Sequence, residues 1–279
     1  MITGAERIVV LFLVYGNTHV AEGMSMTKKI LGRMFPESEK KLIIINNKAT
    51  EAYRKTDDPI WEISGDNRLS EFTGWDHGYA FAKSALNLTA NDLILFANDT
   101  FFRRSYREGG RSFLDFFNRP LIEGHDLTAE SIGYLDDFPR DVELMGIRYR
   151  QWIRSNILFL PFNVCERLGK LTFPLPESEI FSSAPETFWS DSDKISDNWK
   201  AYISSWLFGT VNPDYPEYQL HWHSSQPVNH ENFSFFKKKA RAILSEHFLS
   251  ARLFAMNCPI IDANFFEKLP DRHIAPYYS

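Results

Sequence analysis

The stretch Ile8-Val9-Val10-Leu11-Phe12-Leu13-Val14-Tyr15, closed by Gly16-Asn17, decides the fold. Eight consecutive apolar residues bounded by a turn pair predict a strand covered on both faces, as in a parallel sheet. Outward from it, residues 20–35 place Met24, Met26, Ile30, Leu31 and Met34 at helical spacing and stop before Pro36, which predicts the crossover helix. Residues 42–45 predict a second strand, closed by Asn46-Asn47. Residues 72–88 predict a helix after a Gly-containing loop, and residues 93–97 a third strand ending at Asn98-Asp99. This order implies an α/β fold with an open, mostly parallel sheet flanked by helices. In such sheets ligands sit beyond the carboxyl ends of the strands, where Tyr15 to Thr18, Asn46-Asn47 and Asn98-Asp99 fall.

Beyond residue 100 the pattern is mixed. Residues 111–118 look helical, 131–135 and 157–162 look like strands, and 174–185 are loop-rich. Two further helices, 197–207 and 232–256, flank a loop at 212–229 that contains three prolines. No repeat or low-complexity tract interrupts the chain, so one domain over residues 1–279, with a helical C-terminal part from residue 211, is the simplest description.

A chain of 279 residues that is 44% apolar and 15% aromatic can bury a large core. Its net charge of −5 argues against a nucleic-acid surface. The longest apolar run is the eight residues quoted above, against the roughly 20 a membrane-crossing helix needs. No signal-peptide pattern opens the sequence, so a cytoplasmic location is expected, with peripheral contact at the inner membrane face left open. Cys165 and Cys258 fit a reducing compartment. The cluster Lys237-Lys238-Lys239 with Arg241 reads as a solvated helix face, the alternative being contact with a diphosphate or anionic lipid.

Two segments are more specific than composition: Asn67-Arg68-Leu69-Ser70-Glu71-Phe72-Thr73-Gly74-Trp75-Asp76-His77-Gly78, and Leu93-Ile94-Leu95-Phe96-Ala97-Asn98-Asp99-Thr100-Phe101-Phe102. Together the pair resembles the rhamnan-synthesis glycosyltransferases, GT-A-type enzymes of bacterial polysaccharide assembly. In that family a segment Asn-x-Gly-x-Asp-Phe-x-x-Trp opens a helix and a later strand ends in Asn-Asp-Ser. Asn67, Phe72, Trp75, Asn98 and Asp99 match; Leu69, Glu71 and Thr100 depart from the pattern.

The resemblance implies a GT-A-like fold with a nucleotide-sugar donor half at 1–125 and an acceptor half at 126–210. It implies transfer, by inversion, to a growing O-antigen, capsule or cell-wall glycan, free or lipid-linked. Tyr15, Asn17, Asn46, Asp66, Asn67, Glu71, Asn98, Asp99 and Arg103 become donor-site candidates. Independently of the family, a carboxylate such as Asp99 at a strand end can hold Mg²⁺ or Mn²⁺ against a diphosphate. The second acid of the usual Asp-x-Asp is replaced by Phe101. The alternative is that Asp99 caps a turn.

Inverting transfer needs a carboxylate base. Ser245-Glu246-His247-Phe248-Leu249-Ser250-Ala251-Arg252-Leu253 resembles the acidic motif of inverting GT-A enzymes, which puts Glu246 at the base position. Asp136-Asp137, after the strand at 131–135, is the competing site. His221 and His223, if on a strand, would share a face and with Asp99 complete a metal site. Arg154 and Ser155 are the acceptor-side candidates by the same resemblance. No Gly-x-Gly-x-x-Gly, phosphate-loop Gly-Lys-Ser/Thr, nucleophile elbow or His-Glu-x-x-His is present. The alternatives are a catalytically inactive GT-A-like scaffold subunit and a sugar nucleotidyltransferase.

Overall fold

A computed structural model describes residues 5–57, 59–103 and 117–263. The residues group into two compact units. Of the described residues, the first takes those within 5–136, 153–172 and 256–263; the second takes those within 137–152 and 173–255.

The first unit is built on the stretch that opens the sequence. Strand β1 (Arg7–Val14) is buried on both faces and leads into helix α1 (Val20–Met34). Then come β2 (Glu39–Asn46), β3 (Arg54–Asp57), β4 (Ile60–Ser64), helix α2 (Glu71–Ala85) and β5 (Asp92–Asn98). A short helix α3 (Arg119–Ile122) precedes the long strands β6 (Ser131–Leu144) and β7 (Ile147–Pro161). Helix α4 (Phe162–Leu168) follows β7, and β8 (Ile260–Asp262) completes the sheet. The eight strands lie in the order β3-β4-β2-β1-β5-β7-β6-β8. Strands β4, β2, β1 and β5 run parallel, as do β6 and β8, whereas β3 and β7 run against their neighbours β4 and β5. The fold is therefore α/β, mostly parallel and Rossmann-like, with helices flanking the sheet and a long C-terminal helix.

Helix α2 lies unusually close to the sheet because glycines face it. A methyl group on Gly78 would stand 2.2 Å from Ile45 Cδ1, and one on Gly74 2.6 Å from Leu13 Cδ1. Between them Trp75 is fully buried, edge-on to Phe72 and Phe96. Both cysteines are free and buried, and burial pushes each thiol pKa up.

Three expectations change. Strands β3 and β4 fall in what reads as a loop: Arg54-Lys55-Thr56-Asp57 is a charged edge strand with no apolar stripe. The strands foreseen at 131–135 and 157–162 are the ends of a far longer hairpin, turned at Met145-Gly146 with both φ positive, at 54° and 77°. Asp136 and Asp137 therefore lie inside β6 and not at its end. Pro139 is tolerated there because β8 pairs with β6 only from Ser131 to Gly133, leaving that edge open. The helix expected at 111–118 lies mostly outside the described residues.

The second unit holds the far ends of β6 and β7, a single-turn helix α5 (Glu177–Ile180), helix α6 (Asp197–Phe208) and helix α7 (Phe233–Ala255). Its core is dominated by rings, among them Phe138, Tyr149, Phe173, Phe188, Trp199 and Phe236.

Candidate functional site

The chain crosses from β1 through α1 to β2 on one side, and later through α2 to β5 on the other. This reversal of direction opens a crevice between the carboxyl ends of β1 and β5. Asp99 stands directly after β5 in that crevice, only 5% exposed. Its N–H donates to Leu13 O at 2.9 Å, and its Oδ2 accepts the Tyr15 N–H at 3.1 Å, stitching the two strand ends together. A methyl group on Gly23 would meet the Asp99 carbonyl oxygen at 3.0 Å, so the first turns of α1 press against this residue.

The rim is open. Tyr15 is 60% exposed, and Asn17 is exposed beside it. Gly16, at φ +89°, turns the chain where an L side chain would be strained, and the Lys48 side chain lies alongside. Helix α1 starts at Val20, and its N-cap residue His19 makes no side-chain cap hydrogen bond, leaving a positive helix end at the crevice.

Several sequence candidates are occupied locally. Asn46 Nδ2 donates to the Tyr53 hydroxyl at 3.0 Å, and its Oδ1 accepts Lys48 N–H. Asn98 Oδ1 accepts the Thr100 N–H and hydroxyl at 3.2 and 3.1 Å. Asp66 accepts Arg68 N–H with one oxygen and the Arg68 guanidinium with the other, at 2.9 and 2.7 Å. By contrast, Asn67 and Glu71 are half-buried with no side-chain hydrogen bond among the described residues. Glu71 opens α2 after Ser70, whose φ of 58° is a strained conformation for a non-glycine residue. The Arg103 side chain lies outside the described residues.

Three further strand-end residues are placed by the structure, of which the sequence reading had named only Asn47, without giving it a role. Asn47 is buried; its Nδ2 donates to Ser70 O at 3.1 Å while its Oδ1, wedged against Gly65 and Gly74, has no partner among the described residues. Lys48 supplies the cation nearest Gly16. Asp262 ends β8 as Asp99 follows β5, and its Oδ1 accepts Leu135 N–H at 3.1 Å. The signal for Asp262 was the same one, an apolar run ended by an acid.

Two candidates assigned to different roles prove to be partners. Arg154 Nε donates to Asp136 Oδ2 at 2.5 Å, and its guanidinium stacks 4.5 Å from the centre of the Tyr134 ring. Arg154 is 7% exposed and Ser155 is buried. Strand β5 meets β7 at Ala97↔Ile157, with Asp99 two residues beyond on one strand and Ser155 two residues before on the other. Asp137, in the second unit, is exposed and accepts Gln151 Nε2 at 2.9 Å.

Glu246 sits in the middle of α7, not at a helix start, and is half-buried. The neighbouring His247 is 2% exposed and accepts Trp199 Nε1–H at Nδ1, 2.9 Å away. Phe138 and Trp152 enclose the ring, and burial lowers its pKa to about 3, so the imidazole is neutral. His221 and His223 are not on a strand. The segment is irregular and anchored by Trp222, which stacks on Trp206 at 5.3 Å, and both histidines are exposed; Ser225 Oγ bonds His221 Nδ1 at 2.8 Å. Asp99 belongs to the first unit and the histidines to the second. Among the described residues no group of three His, Cys, Asp or Glu side chains converges, so Asp99, His221 and His223 are not brought together as one donor set.

The open sheet and its crevice define a Rossmann-like α/β protein. Among known proteins, no family model, no curated sequence and no solved structure matches the chain.

Proposed function

We propose that the chain is a GT-A-type glycosyltransferase that moves a sugar from a nucleotide-sugar donor to a bacterial surface polysaccharide. The observation that carries this reading is the buried Asp99 at the β1/β5 crevice, beside the uncapped start of α1. A nucleoside diphosphate suits the surroundings. The free amides of α1 and the Lys48 amine attract phosphate oxygens, the bare backbone at Gly16 permits close approach, and the exposed Tyr15 ring offers a face to the base. Asn67 and Glu71, with unspent side chains, can take hydroxyls of the ribose or sugar. The resemblance of residues 67–78 and 93–102 to the rhamnan-synthesis enzymes supplies the sugar-transfer chemistry.

The test is thermal shift against UDP-, GDP-, CMP- and dTDP-sugars, with and without Mn²⁺, on the native protein and Asp99→Asn. Asparagine keeps an oxygen for the Tyr15 N–H and removes only the charge. At a hundredfold excess over Kd the right donor adds about 2.7 kcal/mol, raising Tm by roughly 5–10 °C. Asp99→Asn abolishes this rise at an unchanged ligand-free Tm. An equal rise in the variant removes Asp99 from the site.

A second reading, a binding subunit that transfers nothing, is favoured by the Asp136–Arg154 pairing, which ties up a candidate base. It predicts donor-induced stabilisation without sugar release or transfer.

A further inference from the structure

The second unit contains a cleft of about 730 Å³ whose walls, among the described residues, come from residues 177–191. Two aromatic rings and a row of hydroxyls line it. Phe181 and Trp189 stack with centroids 5.7 Å apart and planes 26° from parallel. Trp189 is held in place: its Nε1–H donates to Ser204 Oγ at 2.7 Å, and Phe188 and Trp199 press on it edge-on at 4.8 and 5.6 Å. The backbone is clamped as well. Ser182 N–H donates to Phe188 O, Ser190 N–H donates to Ile180 O, and Phe188 takes a φ of 22°, a strained value for a bulky residue.

The polar lining divides into used and unused groups. Ser182 Oγ is occupied by Ala184 and Thr187, and Ser190 Oγ donates to Glu179 O. Ser178, Ser183 and Asp191 are exposed in the cleft with no side-chain partner among the described residues. The charge is wrong for phosphate. Among the described residues no cation lines the cleft, the neighbouring Lys237 amine is paired with Glu177, and Lys200 is committed to the carbonyls of Ser190 and Ser192 at 3.1 and 3.0 Å.

We propose that this cleft binds a neutral saccharide. A pinned, partly exposed indole receives the C–H face of a pyranose, and spare hydroxyls with one carboxylate exchange hydrogen bonds with sugar hydroxyls. The Glu177 and Asp191 carboxylates in the lining disfavour nucleotides and other anions. Saccharide binding stands on this lining alone. That the saccharide is the glycan acceptor rests on the glycosyltransferase reading above.

The test is saturation-transfer NMR and tryptophan-fluorescence titration of the full chain with rhamno-, manno-, malto- and cellohexaose, with UDP as the anionic control. At least one hexasaccharide binds, quenching indole emission, and UDP does not compete. Asp191→Ala, on an exposed loop, weakens binding about tenfold by removing a charge-assisted hydrogen bond. Trp189→Ala, checked for folding by circular dichroism, weakens it by at least as much, and Trp189→Phe restores part. No hexasaccharide binding, or binding unchanged in both alanine variants, overturns the cleft. Donor stabilisation without saccharide binding overturns this inference alone. Saccharide binding without any response to nucleotide sugars leaves the cleft and removes the transferase.

Discussion

His247 shows how one buried side chain ties stability to pH. Its imidazole is neutral and accepts the Trp199 indole proton inside a shell of rings, with its pKa lowered from 6.5 to about 3. Between those values the unfolded chain binds a proton that the folded chain refuses. The stabilisation is full above pH 6.5 and is lost as pH falls towards 3, amounting to about 2 kcal/mol lost at pH 5. Thermal melts at pH 7 and pH 5 measure it, and His247→Gln flattens the difference between them. An equally steep profile in that variant assigns the acid sensitivity elsewhere. The residue was quoted in the sequence as part of a catalytic motif around Glu246, but only the packing shows that it is a structural group.

Among the elements, helix α2 carries the most specific segment of the sequence, and its seating explains much of that segment. Gly74 and Gly78 let it approach β1 and β2, and Trp75 fills the core. Gly78→Ala drives a methyl into Ile45, which is itself fully buried, and should cost about 1–3 kcal/mol. Ile45→Val removes the offending Cδ1, so the cost in that background should fall; strict additivity in urea melts would contradict the close packing described. The alternation that predicts β1, α1, β2, α2 and β5 was legible because apolar periodicity and turn residues agree there. The β6–β7 hairpin was not, since Met145-Gly146 is not a familiar hairpin turn pair and Pro139 reads as a breaker. The rim of the crevice was legible at Tyr15, Asn17 and Asp99. Asn47 was placed at a strand end but given no role, and Lys48 was not named, because their surroundings depend on how close Gly16, Gly65 and Gly74 come to them.

For the molecule as a whole, chain order and spatial order differ. The first unit is assembled from three stretches of sequence, and β6 and β7 each contribute to both units. A fragment ending at residue 136 therefore lacks β7, the neighbour that covers β5 from Leu93 to Ala97, as well as β8. It exposes a long apolar edge and should aggregate or stay unfolded. A dispersed NMR spectrum from residues 1–136 alone would show that the parallel strands fold without their reversed neighbour.

Cys165 and Cys258 both lie in this first unit, buried at 2% and 6% exposure, and burial favours the thiol form of each. A thiolate-seeking reagent can reach them only when the surrounding structure opens. The rate at which native protein takes up such a label thus clocks the opening of the sheet around them without any introduced probe. Since only two thiols exist in the chain, a donor nucleotide that slowed their labelling would be reporting its own binding through the molecule's breathing.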